Sequence, residues 1–299
     1  MDQPASEDRA TARMNGNQTP SDMDGSPWCP GHDRQWELNR RNFEGRWCGE
    51  SRWYLREGDA ELDLSRPSRL IQDTCYDIRF SDDDHGEWDG SGLLFAPEGR
   101  RLLPLSRSTY NRGGQCWQFE AAGGQSSLLI DPQEPRWGHE INLFTGRSRS
   151  MLVLLWGRRD SPAAPRWRLD AVGAVAFRCS HTAPPDPPRP DPGGAMALLE
   201  SQAGWTGFQE SLVPGEWPID PPAPQPCEPF DPKAFLRHPL TAAFADGLVC
   251  SVPEWLPQEA FCLEVGCRLA PDRFDQLSMQ IDAAGRLACW QRRRFRAGG

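Results

Sequence analysis

Along much of the chain, apolar and polar residues alternate with a period of two, the spacing of half-buried β-strands. In Trp47-Cys48-Gly49-Glu50-Ser51-Arg52-Trp53-Tyr54-Leu55 the odd positions are apolar or small, while Arg46, Glu50, Arg52 and Arg56 hold even ones. From Ser68 to Phe80 the parity reverses, with Leu70, Tyr76, Ile78 and Phe80 opposing Arg69, Asp73, Asp77 and Arg79. Further strands are predicted over 87–96, 101–110, 115–121, 126–131, 137–145, 148–156 and 166–179. Glycine-bearing turns such as Asn111-Arg112-Gly113-Gly114 and Thr145-Gly146-Arg147 link them. Eight or nine sequential strands in about 140 residues predict an up-and-down antiparallel β-barrel, which closes on itself to remove exposed edges. A second series is predicted over 205–213, 247–251, 260–269, 273–281 and 286–296, its last pair joined by Asp282-Ala283-Ala284-Gly285. Five strands interrupted by proline-rich residues 214–232 predict a smaller or incomplete barrel. Residues 151–156 are apolar on both strand faces, so the second unit is expected to dock there.

Each series opens on a related phrase. Gly45-Arg46-Trp47-Cys48-Gly49 begins the first and Gly204-Trp205-Thr206-Gly207 the second: a glycine shortly before a tryptophan, then Trp-x-Gly, then a strand. Gly45, Trp47, Gly49, Trp205 and Gly207 are accordingly read as structural. The expected organisation is a disordered polar tail over 1–34, a barrel over 35–180, a proline-rich linker over 181–196 and the reduced second unit over 197–299. The fold class is mainly β.

Composition narrows the function. Thirteen tryptophans make a packed core feasible at 38% hydrophobic residues. A net charge of −9 argues against a general nucleic-acid binder, which needs a basic footprint. Lys233 is the one lysine among 33 basic residues, a pattern that fits either anion recognition by guanidinium groups or a coding bias toward arginine. The first 26 residues hold no apolar core of a signal peptide, and no apolar run is long enough to span a bilayer. The expected location is therefore cytoplasmic, with the ten cysteines reduced.

Ser51 and Trp53 on the first strand and Gln72, Thr74 and Tyr76 on the second are predicted to line the first barrel's lumen, where the small Gly49 and Ser51 leave volume. An apolar cavity with a few polar groups is the usual form of a small-molecule site; a filled barrel whose polar groups bond one another is the alternative. His139 and Glu140 are adjacent on a strand and point to opposite faces, which excludes a catalytic dyad. Glu140 is instead expected to pair with Arg147 or Arg149. Asp82-Asp83-Asp84-His85 reads as a solvated turn. No catalytic residue, metal site or cofactor is predicted: Cys29-Pro30-Gly31-His32 falls in the tail, and Cys250, Cys262, Cys267 and Cys289 lack paired C-x-x-C spacing.

The opening phrase, Trp88-Asp89-Gly90, His139-Glu140-Ile141-Asn142-Leu143-Phe144 with Arg147-Ser148-Arg149, and the closing Gly285-Arg286-Leu287 hairpin resemble an uncharacterised cyanobacterial and plastid family. The resemblance spans roughly residues 35–295. It implies two tandem lipocalin-like (calycin) barrels and brings no established activity or site residues. In such barrels the opening tryptophan packs under an arginine from near the last strand, which implies Arg178 for Trp47 and Arg292 or Arg294 for Trp205. The expected function is non-enzymatic binding of a small apolar or amphipathic ligand, tetrapyrrole-like or lipid-like, in the first barrel. The alternatives are a bilin lyase-like enzyme or chaperone and a protein-interaction scaffold that docks a partner through the proline-rich linker.

Overall fold

The computed structural model describes residues 30–93, 102–160, 165–181, 186–187, 189, 193–220 and 223–298. The alternating segments pair antiparallel into two sheets. The first contains β1 (Gly45–Leu55), β2 (Arg69–Phe80), β3 (His85–Asp89), β4 (Leu102–Ser106), β5 (Cys116–Phe119), β6 (Ala122–Ser126), β7 (Arg136–Thr145), β8 (Ser148–Arg159) and β9 (Arg166–Cys179). Its order is β4-β3-β2-β1-β9-β8-β7-β6-β5, so the first strand pairs with the last. The edges are the middle strands β4 and β5. The strand count predicted a closed barrel; among the described residues the nine strands form a curled sheet in which β4 and β5 are not paired with each other.

The second sheet repeats this plan with β10 (Thr206–Leu212), β11 (Gln225–Cys227), β12 (Leu240–Ala243), β13 (Leu248–Val252), β14 (Phe261–Ala270), β15 (Arg273–Ile281) and β16 (Leu287–Arg296). The order β11-β10-β16-β15-β14-β13-β12 again joins first strand to last. The short edge strands β11 and β12 escaped prediction because three or four residues, one of them Pro226, carry no readable alternation. The strand predicted over 126–131 is displaced: β6 ends at Ser126, after a two-residue turn at Glu120-Ala121 in which Ala121 has φ 59°. An alanine with positive φ leaves no turn signal in a sequence.

Three α-helices lie among the described residues: α1 (Pro30–Phe43), α2 (Ala195–Glu200) and α3 (Pro232–Phe235). The first begins within the segment read as tail, whose residues 1–29 lie outside the described residues. Gly31, Gln35, Trp36, Leu38, Asn42 and Phe43 are its buried positions, a helical spacing, and Asp33 and Arg40 with Arg41 complement the helix dipole at its two ends. It lies along the β5 edge. Gln35 donates from Nε2 to the Gln118 carbonyl (3.0 Å) and accepts the Gln118 N–H on Oε1 (2.7 Å), as a neighbouring strand would. Asn42 bonds Phe119 O and the Ala121 N–H in the same manner. At the other side Trp36 Nε1 donates to Asp83 O (2.7 Å) in the β2–β3 turn.

The two faces of the first sheet bury separate cores. Met151, Val153 and Leu155 of β8 face inward with Trp47, Trp53, Tyr76, Phe144, Val175 and Phe177. Leu152, Leu154 and Trp156 of the same strand pack outward on Cys250, Leu263, Val265, Leu277 and Trp290 of the second sheet. The doubly apolar run thus marks where the two sheets meet. A third cluster, including Phe230, Phe235, Phe274 and Phe295, fills the other face of the second sheet. The cysteines are not all free thiols as expected: Cys48 and Cys75 are register partners on β1 and β2, and the structure joins them in a disulfide. Adjacent strands bring them together across 27 residues of chain, a proximity that spacing alone does not reveal.

Candidate functional site

The concave face of the first sheet brings together most of the predicted lining. Ser51 and Trp53 of β1 and Thr74 and Tyr76 of β2 are all buried there. Gln72 is not among them. Pairing jumps from Gly49↔Thr74 to Ser51↔Ile71, which bulges Gln72 and Asp73 (φ 56°) outward and leaves Gln72 exposed. Gly49 also has a different reason from the one expected. A Cβ there would come 2.1 Å from Ala176 O, so its lack of a side chain admits the β9 backbone and does not hollow the lumen. Trp53 lies over Gly173, where an added Cβ would meet the ring at 2.8 Å.

The registers place Arg149, Phe177, Gly49 and Thr74 in one lateral row across β8, β9, β1 and β2. Arg149 is 2% exposed. Its guanidinium carbon stands 4.8 Å from the ring centre of Phe43, 5.1 Å from Tyr76, 5.2 Å from Phe177, 5.8 Å from Trp47 and 5.9 Å from Phe144. Nε donates to Asn142 Oδ1 (2.6 Å), and Nη2 lies 3.4 Å from Glu140 Oε1 and 3.3 Å from Met151 Sδ. Nη1 has no hydrogen-bond partner among the described residues, and neither do Ser51 Oγ and Thr74 Oγ1. Burial drives Arg149 down from the usual guanidinium value. It drives Glu140 up, partly offset by the hydrogen bond from Asn142, and raises the Cys116 thiol to about 12, with the nearby Glu140 adding to the effect.

The expected Glu140–Arg149 pair is therefore present, and His139 faces the other way, toward the second sheet. Arg149 lies outside the predicted lining, although a lone arginine on the inward parity of an otherwise apolar strand is a legible signal. The opposite holds for Arg178. It has outward parity on β9, and its guanidinium bonds Asp246 (2.6 and 3.1 Å) beside the second sheet. Arg147, at 4.9 Å, and Arg149 cover Trp47 in its place. Over Trp205 the cation is Arg268 at 6.0 Å, whereas Arg292 is buried against Asp275 Oδ2 (2.5 Å).

The concave face of the second sheet offers less. Phenylalanine rings occupy part of it, and its buried Glu264 is satisfied by Ser278 Oγ (2.5 Å) and Gln276 Nε2 (2.7 Å). Two clefts lie outside both concave faces. One of about 290 Å³ runs between α1, β5 and β10, with Arg34, Glu120, Glu210 and Arg294 at its walls. The other, about 210 Å³, lies between Trp167, Phe261 and the Asp282–Gly285 hairpin.

No protein-family model matches the chain, and no curated protein matches it. Among solved structures, a DUF3598-family protein of unknown function from Nostoc punctiforme superposes with a TM-score of 0.60 at 16% identity, covering 88% of this chain and 99% of that one. A candidate thioesterase II from Thermobifida fusca, aligned over 84% of this chain and 80% of that one at 13% identity, reaches a TM-score of only 0.14 and carries no argument. The chain shares its fold with the cyanobacterial DUF3598 protein.

Proposed function

We propose that the concave face of the first sheet binds a small apolar or amphipathic ligand, lipid-like or tetrapyrrole-like, and catalyses no reaction on it. In this reading the curled sheet is a lipocalin-like barrel parted between β4 and β5. The observation that carries it is the pair of buried hydroxyls, Ser51 and Thr74, that lack partners among the described residues on a wall lined mainly by aromatic and apolar side chains. Each such group costs roughly 1–3 kcal/mol while unpaired, a cost that a polar group on a bound ligand removes. A ligand on this face packs against the buried rings of Trp53 and Tyr76. The linker supports a docking-scaffold role less well, because Asp186 accepts Ser148 Oγ (2.5 Å) and Arg189 is bonded to Asp246 (2.7 Å).

Tryptophan fluorescence of the full chain, titrated with a panel of fatty acids and linear tetrapyrroles, tests the proposal. Saturable quenching is expected, with affinity falling about tenfold in Tyr76→Ala and Thr74→Val, the scale of one lost contact. Absence of saturable quenching by every member of the panel sinks it.

A further inference from the structure

Resting on that ligand-binding reading, we infer that the ligand carries an anionic oxygen group, a carboxylate or a phosphate monoester, and that Arg149 receives it on Nη1. Arginine keeps its proton inside proteins, so the guanidinium of Arg149 is a cation within the core. A buried cation is tolerated when it is paired and hydrogen-bonded. Nε and Nη2 spend their bonds on a neutral amide, a thioether and one edge of Glu140 at 3.4 Å. Five ring faces surround the charge, but cation–π contacts replace a counter-ion only in part. Nη1 alone is left with two N–H donors and no acceptor among the described residues.

The aromatic cage also defines the rest of the ligand. An anion at Nη1 is surrounded by ring carbon, so the atoms attached to it lie against Tyr76, Phe177 and Trp47 and must be apolar or flat. Thr74 stands in the same lateral row as Arg149, with only Phe177 and the side-chain-free Gly49 between them. Its hydroxyl suits a second polar group further along the ligand. Free inorganic phosphate and small dicarboxylates meet the charge and leave the apolar wall uncovered, so they are excluded as the preferred class.

Probe pairs that differ only in charge test this with the full chain. Dodecanoate and dodecyl phosphate are compared with methyl dodecanoate, and biliverdin with its dimethyl ester, by tryptophan quenching and isothermal titration at pH 8. The charged member of at least one pair is expected to bind ten times more tightly or better. Arg149→Lys should keep part of that preference and Arg149→Met none. Equal binding of charged and neutral members by the wild-type protein overturns the anion assignment while sparing the ligand-binding reading. Binding by no probe overturns both. The wild-type ratio decides the question even if Arg149→Met does not fold, and whichever of dodecanoate or dodecyl phosphate binds more tightly identifies the acid.

Discussion

At the residue scale, two neighbouring side chains of β7 show how parity separates roles. Glu140 turns to the concave face and meets Arg149, while His139 turns to the second sheet and is fully buried, edge-on to Trp137 at 4.4 Å. Burial holds His139 down at about 3, so the folded protein keeps the ring neutral. The unfolded chain takes up the proton near the ordinary histidine value of about 6.5. Between those two values the unfolded state binds more protons, so this residue's contribution is complete above about pH 6.5 and is lost as the pH falls toward 3. Denaturant titrations at pH 7.5 and pH 4.5 should show wild type losing roughly 2–3 kcal/mol more than His139→Phe over that interval. Equal losses in the two proteins would mean that His139 reaches solvent. The opposite orientations of His139 and Glu140 follow from strand geometry alone. That His139 ends between two sheets follows only from their docking.

At the element scale, the repeated tryptophan phrase acquires a mechanical reason. Gly49 and Gly207 are both the glycine of Trp-x-Gly, and both face a backbone carbonyl of the last strand of their sheet. Added Cβ atoms would lie 2.1 Å from Ala176 O and 2.4 Å from Arg294 O. The glycine therefore lets the first strand lie against the last, the contact that curls each sheet. Gly49→Ala and Gly207→Ala should each cost roughly 1–3 kcal/mol by strain at that seam, read as a lowered midpoint in thermal melts followed by circular dichroism. Wild-type midpoints in both variants would exclude the seam as the reason for the motif. The long strands were legible, β1, β2, β7 and β15 by alternation and β8 by its continuous apolar run. Helix α1 was not, since its apolar stripe is short and its principal task, pairing Gln35 with the β5 edge, uses a polar side chain. The disulfide partner of Cys48 was equally hidden, being fixed by register across a 13-residue loop that carries no pairing signal.

At the scale of the whole molecule, the two sheets share one core and a set of polar clasps. Trp117 and Trp290, one from each sheet, both donate to Ser126 Oγ (3.2 and 3.0 Å). Asp246, with φ 64°, gathers Arg178, Arg189 and Ser150 around a carboxylate that is 3% exposed. Burial alone would raise that carboxyl, but the guanidinium donors and the hydroxyl more than offset it and hold it below the usual range. Asp246→Ala leaves two guanidinium groups facing each other without an anion and should cost about 3–5 kcal/mol, the scale of breaking a buried pair. Guanidinium chloride unfolding of wild type, followed by fluorescence and by circular dichroism, should give one coincident transition, whereas the variant should unfold earlier. A loss under 1 kcal/mol would show the clasp to be solvated. Arg178 illustrates the division between sequence and structure. The order of apolar and polar positions by itself determined that the protein is mainly β, that two strand series follow one another, and that residues 151–156 are covered on both sides, because that pattern is local. Which arginine covers Trp47, which edge α1 pairs, and that Arg149 stands among five rings with one nitrogen unpaired among the described residues were decided only by tertiary structure. Those outcomes depend on register, bulges and docking, which bring together residues far apart along the chain.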